Sequence, residues 1–184
     1  MAHVVDAAPL LIVTGPPGAG TSTLSRLLSD RVEPSVLVEG DASFAFLARG
    51  AIARWLPEAG EQHLVVTTAA AAAAGRDAAS GVFTVYDGVV GPWFLPTFVE
   101  SAALSEVEYV TVLPSVERCI DAVATRTGHG FSDEAATRQM HRSFLEAEID
   151  PRHVIEDPPD PDALADVVMD GTGGGRFRYR LPRR

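Results

Sequence analysis

The sequence predicts a single α/β domain with a five-stranded parallel sheet and helices on both faces of it. Two features of the chain lead there. Short, near-continuously apolar runs alternate with longer helical patterns, as βαβ units do when each strand is covered on both sides. The first run, ending at Thr14, passes straight into a glycine-rich turn and then into an amphipathic pattern. A length of 184 residues with 46% hydrophobic side chains suits one domain with a substantial core.

The strands are expected at residues 10–14, 36–39, 82–86, 109–113 and 153–156. Helical periodicity fills the intervals at 22–30, 42–49, 61–79, 115–126, 132–147 and 161–169. Ser115 and Ser132 stand where an N-cap hydroxyl accepts an orphan amide, and Pro161 suits a first turn. The alanines of 69–74, with Ala78 and Ala79, favour helix and offer a smooth face for close packing on the sheet. The glycines of 171–175 end the last helix, and residues 177–181 alternate apolar and arginine side chains like an edge strand. The domain is therefore expected over residues 1–170, with a basic tail at 171–184.

Composition narrows the function classes. A formal net charge of −10 opposes a broad nucleic-acid surface, which needs clustered positive charge. All 15 basic residues are arginine, five of them in the last nine positions. A single cysteine, Cys119, allows no intrachain disulfide and reads as a small core residue. No stretch is long and apolar enough for a membrane helix, and the segment before the glycine turn lacks the charge pattern of a signal peptide. A cytoplasmic location with no membrane partner is expected.

The turn after the first strand reads Gly15-Pro16-Pro17-Gly18-Ala19-Gly20-Thr21-Ser22-Thr23. Its spacing, two glycines five apart and then a polar residue and a serine, resembles a Walker A phosphate loop. Gly15, Gly18 and Gly20 permit backbone angles that aim successive amides inward, so Gly15, Gly18, Ala19, Gly20, Thr21, Ser22 and Thr23 are expected to cradle the phosphates of ATP at a helix N-terminus. Ser22 is the expected Mg²⁺ ligand. Where the pattern places lysine against the β- and γ-phosphates, this chain has Thr21, and no lysine elsewhere can replace it. A neutral hydroxyl bonds a phosphate oxygen without offsetting its charge. The loop is thus readable in two ways, as an active site completed by arginines or as a binding loop that no longer turns nucleotide over.

In doubly wound sheets ligands sit beyond the carboxyl ends of the strands, which directs attention to Asp41 after the second strand and Asp87 after the third. Asp41 is the candidate general base toward an acceptor hydroxyl, and Asp87 the candidate partner of Ser22 in holding Mg²⁺. Asp87-Gly88 is equally a turn-forming pair. With an arginine-rich segment after the fourth strand, this order of residues resembles the nucleoside monophosphate kinase-like phosphotransferases. Within them it is most similar to the gluconate kinase and chloramphenicol phosphotransferase branch, over about residues 10 to 170. In the gluconate kinases an R-x-x-H segment precedes a lid helix containing Q-F-x-x-L-E; here Arg126-Thr127-Gly128-His129 precedes Ser143-Phe144-Leu145-Glu146. The chloramphenicol enzymes imply the base role for Asp41. Thr21 departs from both.

Arg118, Arg126, Arg138 and Arg142 flank Gly128-His129-Gly130, whose glycines could hinge a lid over residues 126–147. Arg126 is the expected source of transition-state charge, Arg118 is the arginine expected to stand aside, and simple i,i+4 pairing with Glu134 is the alternative for Arg138. Phe44, Phe46, Trp55, Trp93 and Phe94 flank the two aspartates and are either pocket wall or core. Residues 157–160 stand where related folds contact adenine, or else form a helix-capping turn. The reading that follows is an ATP-dependent kinase acting on a small-molecule hydroxyl, with a nucleotide-binding module lacking turnover as the alternative.

Overall fold

Residues Leu10–Thr14 form the central strand β1, and because successive side chains point to opposite faces, it feeds two separate cores. Leu10 and Ile12 join Tyr86, Val107 and Tyr109 on one face; Leu11 and Val13 join Phe83, Val85, Val110 and Val112 on the other. The computed structural model describes residues 8–54, 56–125, 133–156, 158 and 160–181. The further strands are β2 (Ser35–Glu39), β3 (Phe83–Asp87), β4 (Glu106–Val112), β5 (Val154–Ile155) and β6 (Arg178–Arg180).

Five strands run parallel in the order β2-β3-β1-β4-β5, and β6 adds an antiparallel sixth. Strands β5 and β6 share one edge of β4, β5 beside Thr111 and Val112, β6 beside Glu106 to Glu108. At the gap between them the Tyr109 N–H donates to the Phe177 carbonyl at 2.8 Å, and His153 Nδ1 donates to the Tyr109 carbonyl at 2.9 Å. No polar backbone group of Tyr109 is left buried and unpaired.

The helices are α1 (Thr21–Asp30), α2 (Gly40–Ser43), α3 (Gly60–Ala79), α4 (Leu95–Ser101), α5 (Val116–Thr125), α6 (Glu134–Glu146) and α7 (Pro161–Gly173). The alanine face of α3 and Phe98, Val99 and Ala102 of α4 cover the Ile12 side of the sheet. At Gly75 the helices approach so closely that a Cβ would run into the carbonyl of Ala102. Leu24 and Leu28 of α1, Cys119 of α5 and Leu164, Ala165 and Val168 of α7 cover the Val13 side. Helix α6 lies outside α5, tied by His141 Nε2 donating to the Pro114 carbonyl at 2.8 Å.

The structure departs from the sequence reading in four places. The helix expected over 42–49 ends after one turn: Phe44–Phe46 tighten into a 3₁₀ turn, Leu47 becomes extended, and Gly50 takes φ 71°. Phe46 is 87% exposed, so no apolar burial supports further helix there. Helix α4 falls where no helix is expected from the sequence, and Pro96 occupies a first-turn position where a missing N–H costs nothing. Helix α6 is capped by Asp133, whose Oδ1 accepts from the Ala136 N–H at 3.0 Å, while Ser132 lies outside the described residues. The boundary expected at 170 falls inside α7, and beyond it Phe177 is fully buried and β6 is part of the sheet. There Arg180 Nε pairs with Glu106 Oε2 at 2.7 Å and Arg178 Nε with Glu108 Oε1 at 3.5 Å.

The His153 ring is neutral by geometry, since Nδ1 must carry hydrogen to reach a carbonyl and Nε2 accepts from Arg152 Nε at 3.2 Å. Burial lowers its pKa below the usual 6.5, with the adjacent Arg152 charge adding to the effect. Below about pH 6.5 the unfolded chain therefore takes up a proton that the folded one refuses, and this group's contribution to stability is lost as pH falls. His153→Asn is expected to be less stable than wild type at about pH 7.5, with the gap narrowing toward about pH 5.5 in urea unfolding. A gap that stays constant with pH would show that the ring does not titrate differently in the two states.

Candidate functional site

The loop after β1 is seated directly on backbone. A Cβ at Gly15 would strike the Val112 carbonyl of β4, and one at Gly18, where φ is 83°, would strike the Cys119 carbonyl of α5. Gly20, with φ 90°, starts α1, whose first turn carries neither a side-chain cap nor an acidic residue. An uncapped helix start of this kind suits an anion. The Ala19 N–H is turned back onto the Pro16 carbonyl at 3.1 Å, so this residue shapes the loop from within. Cys119 is fully buried, and burial pushes its thiol up to about 11, which keeps it protonated and makes it core.

Strand register brings the polar residues to this loop. Val13, Asp87 and Glu39 align across β1, β3 and β2, so Asp87 ends β3 beside the phosphate loop. Its carboxyl is buried, with the Ser22 and Thr21 hydroxyls close enough to bear on its charge. Burial raises its pKa above the ordinary aspartate value, the two hydroxyls pull it back, and the charges of Asp41 and Glu39 push it up again. Ser22 and Asp87 thus meet as a pair of hard oxygen donors, the chemistry that suits Mg²⁺. Thr21, at the position where a Walker loop carries lysine, stands near the same carboxylate.

The loop following Asp87 is pinned to β1 and β4. The Gly88 N–H reaches the Val13 carbonyl at 3.3 Å and the Val90 N–H reaches Thr14 Oγ1 at 2.9 Å. The Val90 carbonyl accepts from the Tyr109 hydroxyl at 2.8 Å. These bonds hold the ends of β1 and β3 side by side.

Asp41 stands in the first turn of α2, its side chain 70% exposed and ion-paired through Oδ1 with Arg54 Nη1. Arg54 was not among the residues the sequence singled out. Its guanidinium lies 5.2 Å over the Phe44 ring, which meets His63 edge-on at 5.1 Å. The segment carrying Arg54 is stapled to the start of α3. Gln62 accepts from the Ile52 N–H and donates to the Ile52 carbonyl, both at 2.8 Å, and His63 Nε2 lies 2.9 Å from the Arg54 carbonyl. The only signal in the sequence was that Arg54 and Arg49 are the two charges inside an otherwise apolar stretch.

The other candidates are dispersed. Trp93 packs against Phe144 of α6 at 5.3 Å, and Phe94 packs on the core, so neither joins Phe44 beside Asp41. Arg138 pairs with Glu134 at 2.9 Å, Arg142 is exposed on α6, and Arg118 Nη1 donates to the Pro158 carbonyl at 3.2 Å. Arg126, Gly128, His129, Gly130, Trp55, Asp157 and Pro159 lie outside the described residues.

No protein-family model matches the chain, and no curated protein matches it in sequence. Solved structures match its fold. A sugar kinase from Janibacter sp. HTCC2649 superposes with a TM-score of 0.68 at 19% identity, covering 90% of this chain and 95% of that one. The APS kinase of Mycobacterium tuberculosis, in complex with AMPPNP and APS, gives 0.67 at 12% identity over 91% and 98%. A gluconokinase from Sinorhizobium meliloti 1021 gives 0.60 at 17% identity over 91% and 93%. The chain therefore has the P-loop kinase fold, a single α/β domain on a parallel sheet, along nearly its whole length.

The raised pKa of Asp87 has a consequence for stability. An aspartate whose folded pKa is raised stabilises the fold below its unfolded pKa and loses that contribution as pH rises through the folded value. At neutral pH the ionised carboxyl is a burden, and Asp87→Asn is expected to raise the melting temperature of the ligand-free protein by about 2–4 °C, the scale of roughly 1 kcal/mol at this length. The gain should shrink as pH falls and the wild-type carboxyl takes up its proton. A lower melting temperature for the variant at neutral pH would refute the assignment.

Proposed function

We propose that this chain is an ATP-dependent phosphotransferase acting on a hydroxyl of a small molecule. The observation that carries the proposal is that Thr21 and Ser22 stand beside Asp87 at the carboxyl ends of β1 and β3, next to a loop in which Gly15 and Gly18 leave no room for a side chain. The Asp41 charge is near enough to bear on the Asp87 carboxyl. The fold shared with proteins named as sugar kinase, gluconokinase and APS kinase supports the same reading.

In this reading Gly15, Gly18, Ala19, Gly20, Thr21, Ser22 and Thr23 form the phosphate cradle. Ser22 Oγ and the Asp87 carboxylate would hold Mg²⁺, which would supply positive charge against the phosphates. Asp41 receives the proton of the acceptor hydroxyl as the new O–P bond forms. Charge that lysine would have supplied comes from arginine, the only strong cation in the chain, with Arg126 as the proposed donor. The cytoplasm is the proposed location.

A second reading rests on Thr21. Its hydroxyl stands near Asp87 and carries no charge, so nothing at this position offsets a phosphate. A module that binds nucleotide without turning it over tolerates that loss.

Two measurements separate these readings. Asp41→Asn should lower transfer by about 10²–10⁴-fold while ATP affinity stays within a few fold, because a base is removed without touching the cradle. Parallel loss of transfer and ATP affinity would remove Asp41 from the base role. Thr21→Lys should tighten ATP binding by about 1–3 kcal/mol in calorimetry if the loop simply lacks its cation. If arginine already supplies the charge, the gain should be within a factor of about three.

A further inference from the structure

Beside Asp41 lies a cleft of about 360 Å³, with Phe44, Leu47, Ile52 and Ala53 among its walls and Arg54 and Gln62 as the only polar side chains among its described lining residues. Both polar groups are already engaged. The Gln62 amide is bonded at both its oxygen and its nitrogen to the Ile52 backbone, and Arg54 holds Asp41 while lying over Phe44. The cleft is roomier than the roughly 150 Å³ that a benzene molecule fills and falls at the small end of ligand pockets. It is also built: residues 52–54 have no regular structure of their own, yet two consecutive α3 side chains, Gln62 and His63, bind their backbone.

This arrangement bears on what can enter. A polyhydroxylated molecule would surrender its water to walls that return few hydrogen bonds, whereas an apolar body loses nothing by leaving water. Arg54 takes Oδ1 of Asp41, and a carboxylate has a second oxygen with which to accept an acceptor hydroxyl. The charged end of the cleft and its apolar walls therefore sort an incoming molecule end from end.

Resting on the reading of Asp41 as base, we infer that this cleft seats the phosphoryl acceptor, and that the acceptor is an alcohol with an aromatic or otherwise apolar body rather than a sugar acid. Its hydroxyl lies at the Arg54 end. The hydroxyl oxygen bonds to the γ-phosphorus as the bridge to ADP breaks, and the proton passes to Asp41. Arg54 is a positioning residue, since one oxygen of an exposed carboxylate is fixed by its guanidinium.

The test uses the full chain with ATP and Mg²⁺, with ¹³C-labelled Leu and Ile methyls, titrated with 2-phenylethanol and, separately, with gluconate. The Leu47 and Ile52 methyl signals should shift saturably with the aromatic alcohol, at a concentration about tenfold or more below any effect of gluconate. Ala53→Trp, which fills the cleft, should weaken that binding by at least about tenfold, and its retained ATP-induced rise in melting temperature shows that it is folded. Binding that shifts these methyls without phosphorylation of the alcohol would sustain the cleft and count against the kinase reading. Gluconate phosphorylated while 2-phenylethanol leaves the methyls unmoved would sustain the kinase reading and overturn the cleft. Equal binding to wild type and Ala53→Trp would overturn it as well.

Discussion

Everything at the carboxyl end of the sheet hangs on how closely the loop after β1 is seated, with Gly15 against the carbonyl of Val112 and Gly18 against that of Cys119 and no space for a side chain at either. Interiors pack at crystal-like density, so contacts this close lock β4 and α5 to the loop. Once the loop is fixed, α1 must start at Gly20, and Ser22 falls beside the end of β3. The bonds from Val90 to Thr14 and Tyr109 then hold the loop after β3 to the same frame. A ligand at this place meets backbone set by the core rather than by flexible side chains.

Two buried carboxylates show how differently the two ends of the sheet use charge. Asp87, at the carboxyl end, is raised by burial and answered only by two neutral hydroxyls. Glu108, further toward the amino end of β4, is also raised by burial, but Arg178 of β6 stands 3.5 Å away and draws it back. Burying a carboxylate is costly unless a charge or a metal compensates it. For Glu108 the compensation is intramolecular and fastens the sixth strand. For Asp87 no basic side chain is among the groups that act on it, and its pKa stays raised.

The region around Asp41 is built on another plan. Between α2 and α3 the chain has little regular structure, and its backbone groups at Ile52 and Arg54 are satisfied by Gln62 and His63. Side-chain staples of this kind let a loop hold a shape that no helix or strand could give it. The result is an apolar recess whose one charged contact is the Arg54–Asp41 pair. Asp41, a carboxylate on an exposed turn, gains its orientation from that pair.

The parallel α/β class, the strand–loop–helix of residues 10–30 and the placing of Asp41 and Asp87 at strand ends could all be read from the chain alone. Each depends on neighbours in sequence: apolar runs of strand length, glycines in a fixed spacing, an aspartate directly after an apolar run. Other features belong to the tertiary structure. Arg180 meets Glu106 across 74 positions, Tyr109 meets Val90 across 19, and Arg54 reaches Asp41 only because Gln62 and His63 hold its segment in place. The short α2 and the unforeseen α4 belong there too, since burial and first-turn proline geometry outweighed local propensity. Thr21 spans both: its neutrality is written in the sequence, but its nearness to Asp87 follows from β3 ending beside β1, a pairing no local pattern encodes.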